Sequence, residues 1–313
     1  MQRREGGSRV TPLARLGTRG STLALWQTRR IADWLLGDGA VDRVEETIIG
    51  TRGDADVATP LSELERKGAF TVDIENALRS GQIDMAVHSL KDLSLEEAEG
   101  IRLAAVCFRE DPRDVLVARD SRSLGDLGEG AVVGTSSPRR AAMLAQVRPD
   151  LRATPIRGNV ETRIAKVDRG EYDAVVLAAA GVLRLGLEAR IAEYFDADEF
   201  PPSPGQGALA VQCRADDAVM AELLSALNDP LVRACTDAER SFLGALGGGC
   251  SLPVGGWASL GRNRQLRLVG YVGSPGGGGA IRVTGRGDPD TPVMLGRRLA
   301  REAIDAGGLE LLR

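Results

Sequence analysis

The spacing of apolar and polar positions changes repeatedly along the chain, and each change marks an element. ARLGT (14–18) predicts a short strand. In LALWQTRRIADWLL (23–36), Leu23, Trp26, Ile31 and Trp34 recur at helical spacing, and Ser21 is placed to cap that helix. VEETIIG (44–50) predicts a strand, 70–80 a helix closed by Gly81, and IDMAVHS (83–89) a buried strand running into LKDLS (90–94). IRLAAVCF (101–108) and DVLVA (114–118) predict two more strands, separated by the polar break REDP (109–112), a hinge or crossover. AVVGT (131–135) predicts a strand feeding the helix SSPRRAAMLAQV (136–147), with Ser136 or Ser137 as cap and Pro138 in the first turn. A helix over 160–170 follows, with Asn159 as its cap, and 172–182 predicts a buried strand leading into a helix.

The pattern changes near residue 200. FPPSPGQGALAVQCR (200–214) opens as a Pro/Gly-rich linker and ends as a strand. Residues 234–246 predict a helix and GGGCSLPVGG (247–256) a glycine-rich loop. LRLVGYVG (266–273) and AIRVTGRG (280–287) flank a glycine-rich turn and predict an antiparallel hairpin, followed by an amphipathic helix from Asp290 to Arg301. The expected fold class is α/β: two βαβ-rich lobes and a small C-terminal α+β domain.

Composition narrows the function classes. The 313 residues suit two or three domains, and 43% hydrophobic with 27% charged residues gives each a core. The net charge of −4 offers no global field for nucleic acid or an anionic membrane. Three lysines stand against 37 arginines, so an isolated Arg pair carries little weight. With one histidine, His88, and no CxxC, no metal site is expected. Four cysteines in a chain of this length fit a reducing compartment. The N-terminus lacks an apolar signal region, and the longest apolar run (174–183) is too short for a bilayer. A soluble, cytoplasmic protein is expected.

Three strand–loop–helix junctions pair hydroxyls or a capping residue with arginine: RLGTRGS (15–21), GTSSPRR (134–140) and IRGNVETR (156–163). Helix N-termini with free N–H groups and arginine forks bind carboxylate or phosphate, and three such junctions point to a small polyanion held between lobes. HSLKD (88–92) gathers an imidazole, a hydroxyl, an ammonium and a carboxylate at the end of a buried strand. There Asp92 is the functional candidate and His88 reads as a core residue. Cys250 sits on a sterically open glycine loop and could carry a covalent adduct, since the thiolate is the nucleophile. Cys107, Cys213 and Cys235 read as structural.

Together, RLGTRGSTLALWQ, KGAF (67–70), GQIDMAVHSLKDL, REDPRDVLV, VGTSSPRR, RGNVETR, GEYDAVVLAAAGVLRLG, PPSPGQGAL and AERSFLGALGGGCSLPVG resemble the porphobilinogen deaminase (hydroxymethylbilane synthase) family, in family order from residue 15 to about 255. The resemblance implies a monomeric cytoplasmic transferase of tetrapyrrole, porphyrin and haem biosynthesis. It would join four porphobilinogen units head to tail, release ammonia at each step, and hydrolyse off hydroxymethylbilane. The implied primer is a dipyrromethane cofactor thioether-linked to Cys250. The family's catalytic aspartate falls on Asp92, which would bind pyrrole N–H groups and stabilise a cationic azafulvene. Its binding positions fall on Arg19, Ser21, Lys91, Thr135, Ser136, Ser137, Arg139, Arg140, Arg157, Arg163 and Arg184, and Lys67 and Phe70 fall on an active-site loop. The implied fold has two lobes like those of type II periplasmic binding proteins plus a third domain. The boundaries are 10–108 with a return segment at 202–224, then 109–201, then 225–313.

Two departures stand out. Ser94 replaces a family proline and is expected to loosen the turn after Asp92, and Val72-Asp73 replaces a Lys-Glu pair beside the active-site loop. The alternative reading is a two-lobed binding protein for a small polyanion, which explains the lobes and arginines but neither the GGGC loop nor the third domain.

Overall fold

The computed structural model describes residues 13–56, 59, 69–249 and 252–312. Lys67 and Cys250 lie outside the described residues.

The first sheet has the order β2-β1-β3-β10-β4, built from β1 (Ala14–Thr18), β2 (Val44–Ile48), β3 (Met85–Ser89), β4 (Ile101–Cys107) and β10 (Leu209–Arg214). β1 pairs parallel with β2 and β3, whereas β10 runs antiparallel between β3 and β4. The second sheet has the order β7-β6-β8-β5-β9, from β5 (Asp114–Ala118), β6 (Val132–Gly134), β7 (Arg152–Thr154), β8 (Ala174–Ala178) and β9 (Glu193–Tyr194). Here β6 pairs parallel with β7 and β8, and β5 is the antiparallel strand between β8 and β9.

The two sheets thus share one pattern, and in each the antiparallel strand arrives from the other lobe. The chain leaves β4 of the first sheet to form β5 in the second, and leaves β9 of the second to form β10 in the first. This is the two-lobed α/β architecture expected of binding-protein-like lobes. The break at 109–112 is the first crossing, and the second spans the Pro/Gly-rich segment before β10.

Parallel connections are made by helices whose N-termini follow strand ends. α1 (Thr22–Gly37) is capped by Ser21, whose hydroxyl accepts from the Ala24 N–H. α2 (Arg52–Ala55) and α3 (Val72–Arg79) precede β3. α4 (Pro138–Val147) is capped by Ser137, α5 (Val160–Asp168) by Asn159, and α6 (Ala179–Arg184) follows β8 directly. The inner strands β5 and β8 are buried on both faces and read as apolar runs without alternation, whereas β2 and β7 at the sheet edges are largely exposed.

The third unit packs α8 (Pro230–Ala245) and α9 (Pro292–Asp305) on the antiparallel sheet β11-β12-β13 (Val254–Leu260, Leu266–Gly273, Ala280–Gly287). Phe242, Leu266, Leu268, Val272 and Leu299 form its core. The expected hairpin is β12–β13, but it gains β11, whose first residues lie in the stretch expected to be loop. α7 (Ala218–Ser225), the short strands β7 and β9, and the final helix α10 (Gly308–Leu311) lie outside the expected elements. Tertiary pairing, not local periodicity, makes strands as short as β7 and β9.

Candidate active site

A cleft of about 740 Å³ opens where the strand ends and helix N-termini of both lobes meet. In α/β sheets the carboxyl ends of the strands are where ligands bind, because the connections diverge there. Arg19, Ser21, Phe70, Lys91 and Asp92 line it from the first lobe; Ser136, Ser137, Arg139, Arg140, Arg157, Arg163 and Arg184 line it from the second. Of the expected binding residues with described positions, only Thr135 is not among the lining residues. It is buried behind the α4 cap, where its hydroxyl accepts from the Ser137 N–H at 3.2 Å.

Asp92 follows β3 in a single 3-10 turn (Leu90–Asp92), and its side chain is exposed to the cleft. The turn is held from the third unit. Arg240 of α8 donates to the carbonyls of Leu93 at 3.2 Å and Ser94 at 2.6 Å. The serine that replaces the family proline is therefore pinned through its backbone, and the expected loosening is opposed by this fork. Gly248, in the loop leading to Cys250, is packed so close to Leu95 that a Cβ there would lie 2.7 Å from Leu95 Cδ1. The other departure is absorbed on the surface, where Asp73 accepts from the Arg52 N–H at 3.1 Å.

His88 is buried in β3, and burial, reinforced by the Arg19 cation, lowers its pKa to about 4. The imidazole is neutral at pH 7, in keeping with a core role. Lys91 sits deep in the cleft, where burial and the Arg139 and Arg140 cations hold its ammonium below the ordinary lysine range, against the opposing pull of Asp92 and Asp114.

The arginines that line the cleft are each engaged by the protein, to different degrees. Arg139 donates to Asp114 Oδ2 at 2.7 Å and to the Pro201 carbonyl at 2.9 Å. Arg140 donates to Asp114 Oδ1 at 2.6 Å and to the Val176 carbonyl at 2.9 Å, while its buried Nε has no hydrogen-bond partner among the described residues. Asp114 is fully buried at the head of β5. Burial alone would raise its pKa, but the two guanidiniums outweigh that and hold it well below the usual carboxylate range. Arg184 donates to the Phe108 and Gly207 carbonyls, one in each crossing, and burial lowers its pKa to about 10. Arg157 donates across the cleft to the carbonyls of Asp56 at 2.7 Å and Thr59 at 3.3 Å. Arg19 stacks on the Phe70 ring at 4.5 Å, and Arg163 donates to the Gly158 carbonyl.

Three residues outside the expected set organise this site. Gln206 joins Lys91 to Asp114. Glu239 of α8, fully buried, accepts from Arg109, the Gly205 N–H and the Ala258 N–H, each at 2.8 Å, and so ties the third unit to both crossings. Asp114 lies within REDPRDVLV and Gln206 within PPSPGQGAL, but neither motif says what the side chain meets across the chain. Gly207 has φ +88°, and a Cβ there would lie 2.3 Å from the Glu110 carbonyl oxygen, so the second crossing requires glycine to pass the first.

Among the described residues the arrangement is a cationic pocket with one carboxylate, that of Asp92, exposed to it. The unpartnered Nε of Arg140 and the arginines lining both lobes fit a ligand rich in carboxylates, such as a dipyrromethane with acetate and propionate arms.

Comparison with known proteins agrees with this chemistry. Residues 14–222 match the family profile described as "Porphobilinogen deaminase, dipyromethane cofactor binding domain", and residues 233–305 match "Porphobilinogen deaminase, C-terminal domain". The porphobilinogen deaminase of Roseiflexus castenholzii is 46% identical over 297 residues, covering 95% of this chain and 97% of that one. That of Thermus thermophilus is also 46% identical, with the same coverage. Among solved structures, an arginine-specific periplasmic binding protein of Salmonella typhimurium is similar with a TM-score of 0.42 at 14% identity, over 71% of this chain and 94% of that one. An ancestral cationic amino acid solute binding protein gives a TM-score of 0.44 at 15% identity, over 69% and 88%.

Proposed function

Because the chain belongs to the porphobilinogen deaminase family, we propose that the cleft between the lobes is its active site, with Asp92 as catalytic carboxylate and Cys250 as the point of cofactor attachment. The enzyme is a transferase of tetrapyrrole biosynthesis: it joins four porphobilinogen units head to tail on a dipyrromethane primer, releases ammonia, and hydrolyses off hydroxymethylbilane. The observation that carries the site assignment is that Asp92, Lys91, Arg19, Arg140, Arg157 and Arg163 line one cleft although they come from two lobes.

When bound, the dipyrromethane supplies the pyrrole carbon to which the first new unit is joined. Cys250 would hold it as a thioether, with Arg140 Nε and the Ser137 hydroxyl facing its carboxylate arms, while the Ser136 hydroxyl, which donates to the Ile156 carbonyl at 2.8 Å, fixes the loop beside them. Arg19, Arg157 and Arg163 face carboxylates of the substrate and growing chain. Asp92 accepts pyrrole N–H groups and opposes the positive charge that develops on the substrate as ammonia leaves. A fixed carboxylate does this best where water is excluded. Arg139, Arg184 and Thr135 act one step back, by fixing Asp114, the crossings and the α4 cap.

The proposed division of the chain is 10–108 with 202–224, 109–201, and 225–313, supported by the exchange of β5 and β10 between sheets. A cytoplasmic monomer is proposed with it. No helix among the described residues is long and apolar enough to cross a membrane. Sedimentation at a mass well above 33.1 kDa would contradict the monomer. The binding-protein reading has only fold likeness behind it and leaves the third unit unexplained. The test of function is direct: incubation with porphobilinogen should release one ammonia per unit consumed and yield a linear tetrapyrrole that closes to a porphyrinogen.

A further inference from the structure

The amide of Gln206 links the two lobes at one point. It lies three residues before β10, and the antiparallel pairing of Leu209 with Ser89 brings that segment beside Lys91. The side chain is 1% exposed. Its Nε2 donates to the Pro112 carbonyl at 2.7 Å and to Asp114 Oδ1 at 2.8 Å, with the Arg113 carbonyl at 3.3 Å. All three are acceptors, so only the NH₂ end of the amide can face them. The oxygen end is thereby turned to the other side, where Lys91 Nζ donates to Oε1 at 3.1 Å. A lysine is ordinarily a point charge on a flexible four-carbon stem. Here its head meets an acceptor that cannot rotate away.

We propose that Gln206 is a positioning residue of the reaction: it holds the Lys91 ammonium beside Asp92 and ties that placement, through Asp114, to the Arg139–Arg140 pair of the opposite lobe. The inference rests on the reading of the cleft as the site of porphobilinogen condensation. Asp114 Oδ1 accepts from both Gln206 Nε2 and Arg140 Nη2, so one carboxylate and one amide connect the arginine pair to the lysine. Among the described residues, the charged groups that face Lys91 are Asp92 on its own segment and Asp114, Arg139 and Arg140 from the second lobe. The two arginines disfavour the ammonium and the two carboxylates favour it. The Gln206 oxygen adds to the second side, because an acceptor stabilises the charged form.

The test uses Gln206→Leu, Gln206→Glu, Lys91→Met and the double variant Gln206→Leu/Lys91→Met, in the full enzyme with porphobilinogen. A misplacement of about 1 Å costs on the order of a hundredfold, so Gln206→Leu is expected to lower kcat between about tenfold and a hundredfold. KM should stay within about threefold if substrate binding itself is untouched. The alkaline limb of its kcat–pH profile should move to lower pH, because the unsupported ammonium loses its proton sooner. In the Lys91→Met background, Gln206→Leu should add less than about twofold, since both changes act on one interaction. Gln206→Glu keeps the size of the side chain and can donate to Asp114 only when protonated, so its activity relative to wild type should recover as pH falls. An unchanged kcat and alkaline limb in Gln206→Leu, or full additivity with Lys91→Met, would overturn the proposal. Should Gln206→Leu not fold, a wild-type pH profile in Gln206→Glu overturns it equally. A wild-type enzyme that consumes no porphobilinogen would instead refute the underlying functional reading.

Discussion

Oδ1 of Asp114 lies 2.6 Å from Nη2 of Arg140, so an arginine expected to face the ligand is already half neutralised by the protein. The second carboxylate oxygen takes Arg139 in the same way. A buried carboxylate between two guanidiniums fixes both forks before any ligand arrives, and it leaves the two arginines unequal.

Asp114→Asn keeps the shape and removes the charge. It leaves two buried guanidiniums without a counterion, and breaking such a pair costs about 3–5 kcal/mol. The folded pKa of Asp114 is depressed below the unfolded value of about 3.9. Its contribution is therefore complete above about pH 4 and is lost as pH falls through the lower folded value. Denaturant midpoints should show a large deficit for Asp114→Asn near neutral pH that shrinks in strong acid. A deficit independent of pH would remove the charge from the explanation.

The two arginines should fail differently. Arg139 is 3% exposed and engaged with Asp114 and Pro201, so Arg139→Met should mainly cost stability, about 3 kcal/mol or more. Arg140 keeps an unpartnered Nε, so Arg140→Met should impair cofactor assembly or elongation beyond any loss of stability. Arg140→Lys should rescue only in part, because lysine lacks the planar fork. Parallel measurement of unfolding and of cofactor content separates the two. Equal effects on both quantities for both residues would contradict the division.

Asp92→Asn retains shape and hydrogen-bonding ability but loses the charge that opposes the developing cation. Removing a preorganised group of this kind costs about 10²–10³ in turnover. The variant should fold and bind porphobilinogen near normally, with single-turnover ammonia release lower by roughly a hundredfold or more. Asp92→Glu should retain more activity than Asp92→Asn. Asparagine turnover within a few-fold of wild type would take Asp92 out of the mechanism.

What was legible in the sequence was local. Ser21, Ser137 and Asn159 announce the helix starts because a cap acts within three residues of itself. Asp92, Arg19, Arg139, Arg140, Arg157 and Arg163 stand out as candidates from motifs at strand ends, whereas Arg184 enters only with the resemblance. β10 was legible as a strand, but its place between β3 and β4 depends on partners about a hundred or more residues away, which periodicity does not encode. Gln206 and Asp114 face each other only because two crossings meet, and Glu239 reads as an ordinary helix residue until Arg109, Gly205 and Ala258 are brought to it. The resemblance gave the candidate binding arginines as one set, and only the geometry separates Arg140 from Arg139 and Arg184.

The central claim is a covalent primer on Cys250 in an enzyme that consumes porphobilinogen. Intact-mass measurement of the purified wild type and of Cys250→Ser tests it most directly. The wild type should exceed its sequence mass by one dipyrromethane and colour with Ehrlich's reagent, while Cys250→Ser should match its sequence mass, stay colourless and be inactive. A wild type at bare sequence mass that still turns over porphobilinogen, or a serine variant that still carries the adduct, would contradict the account.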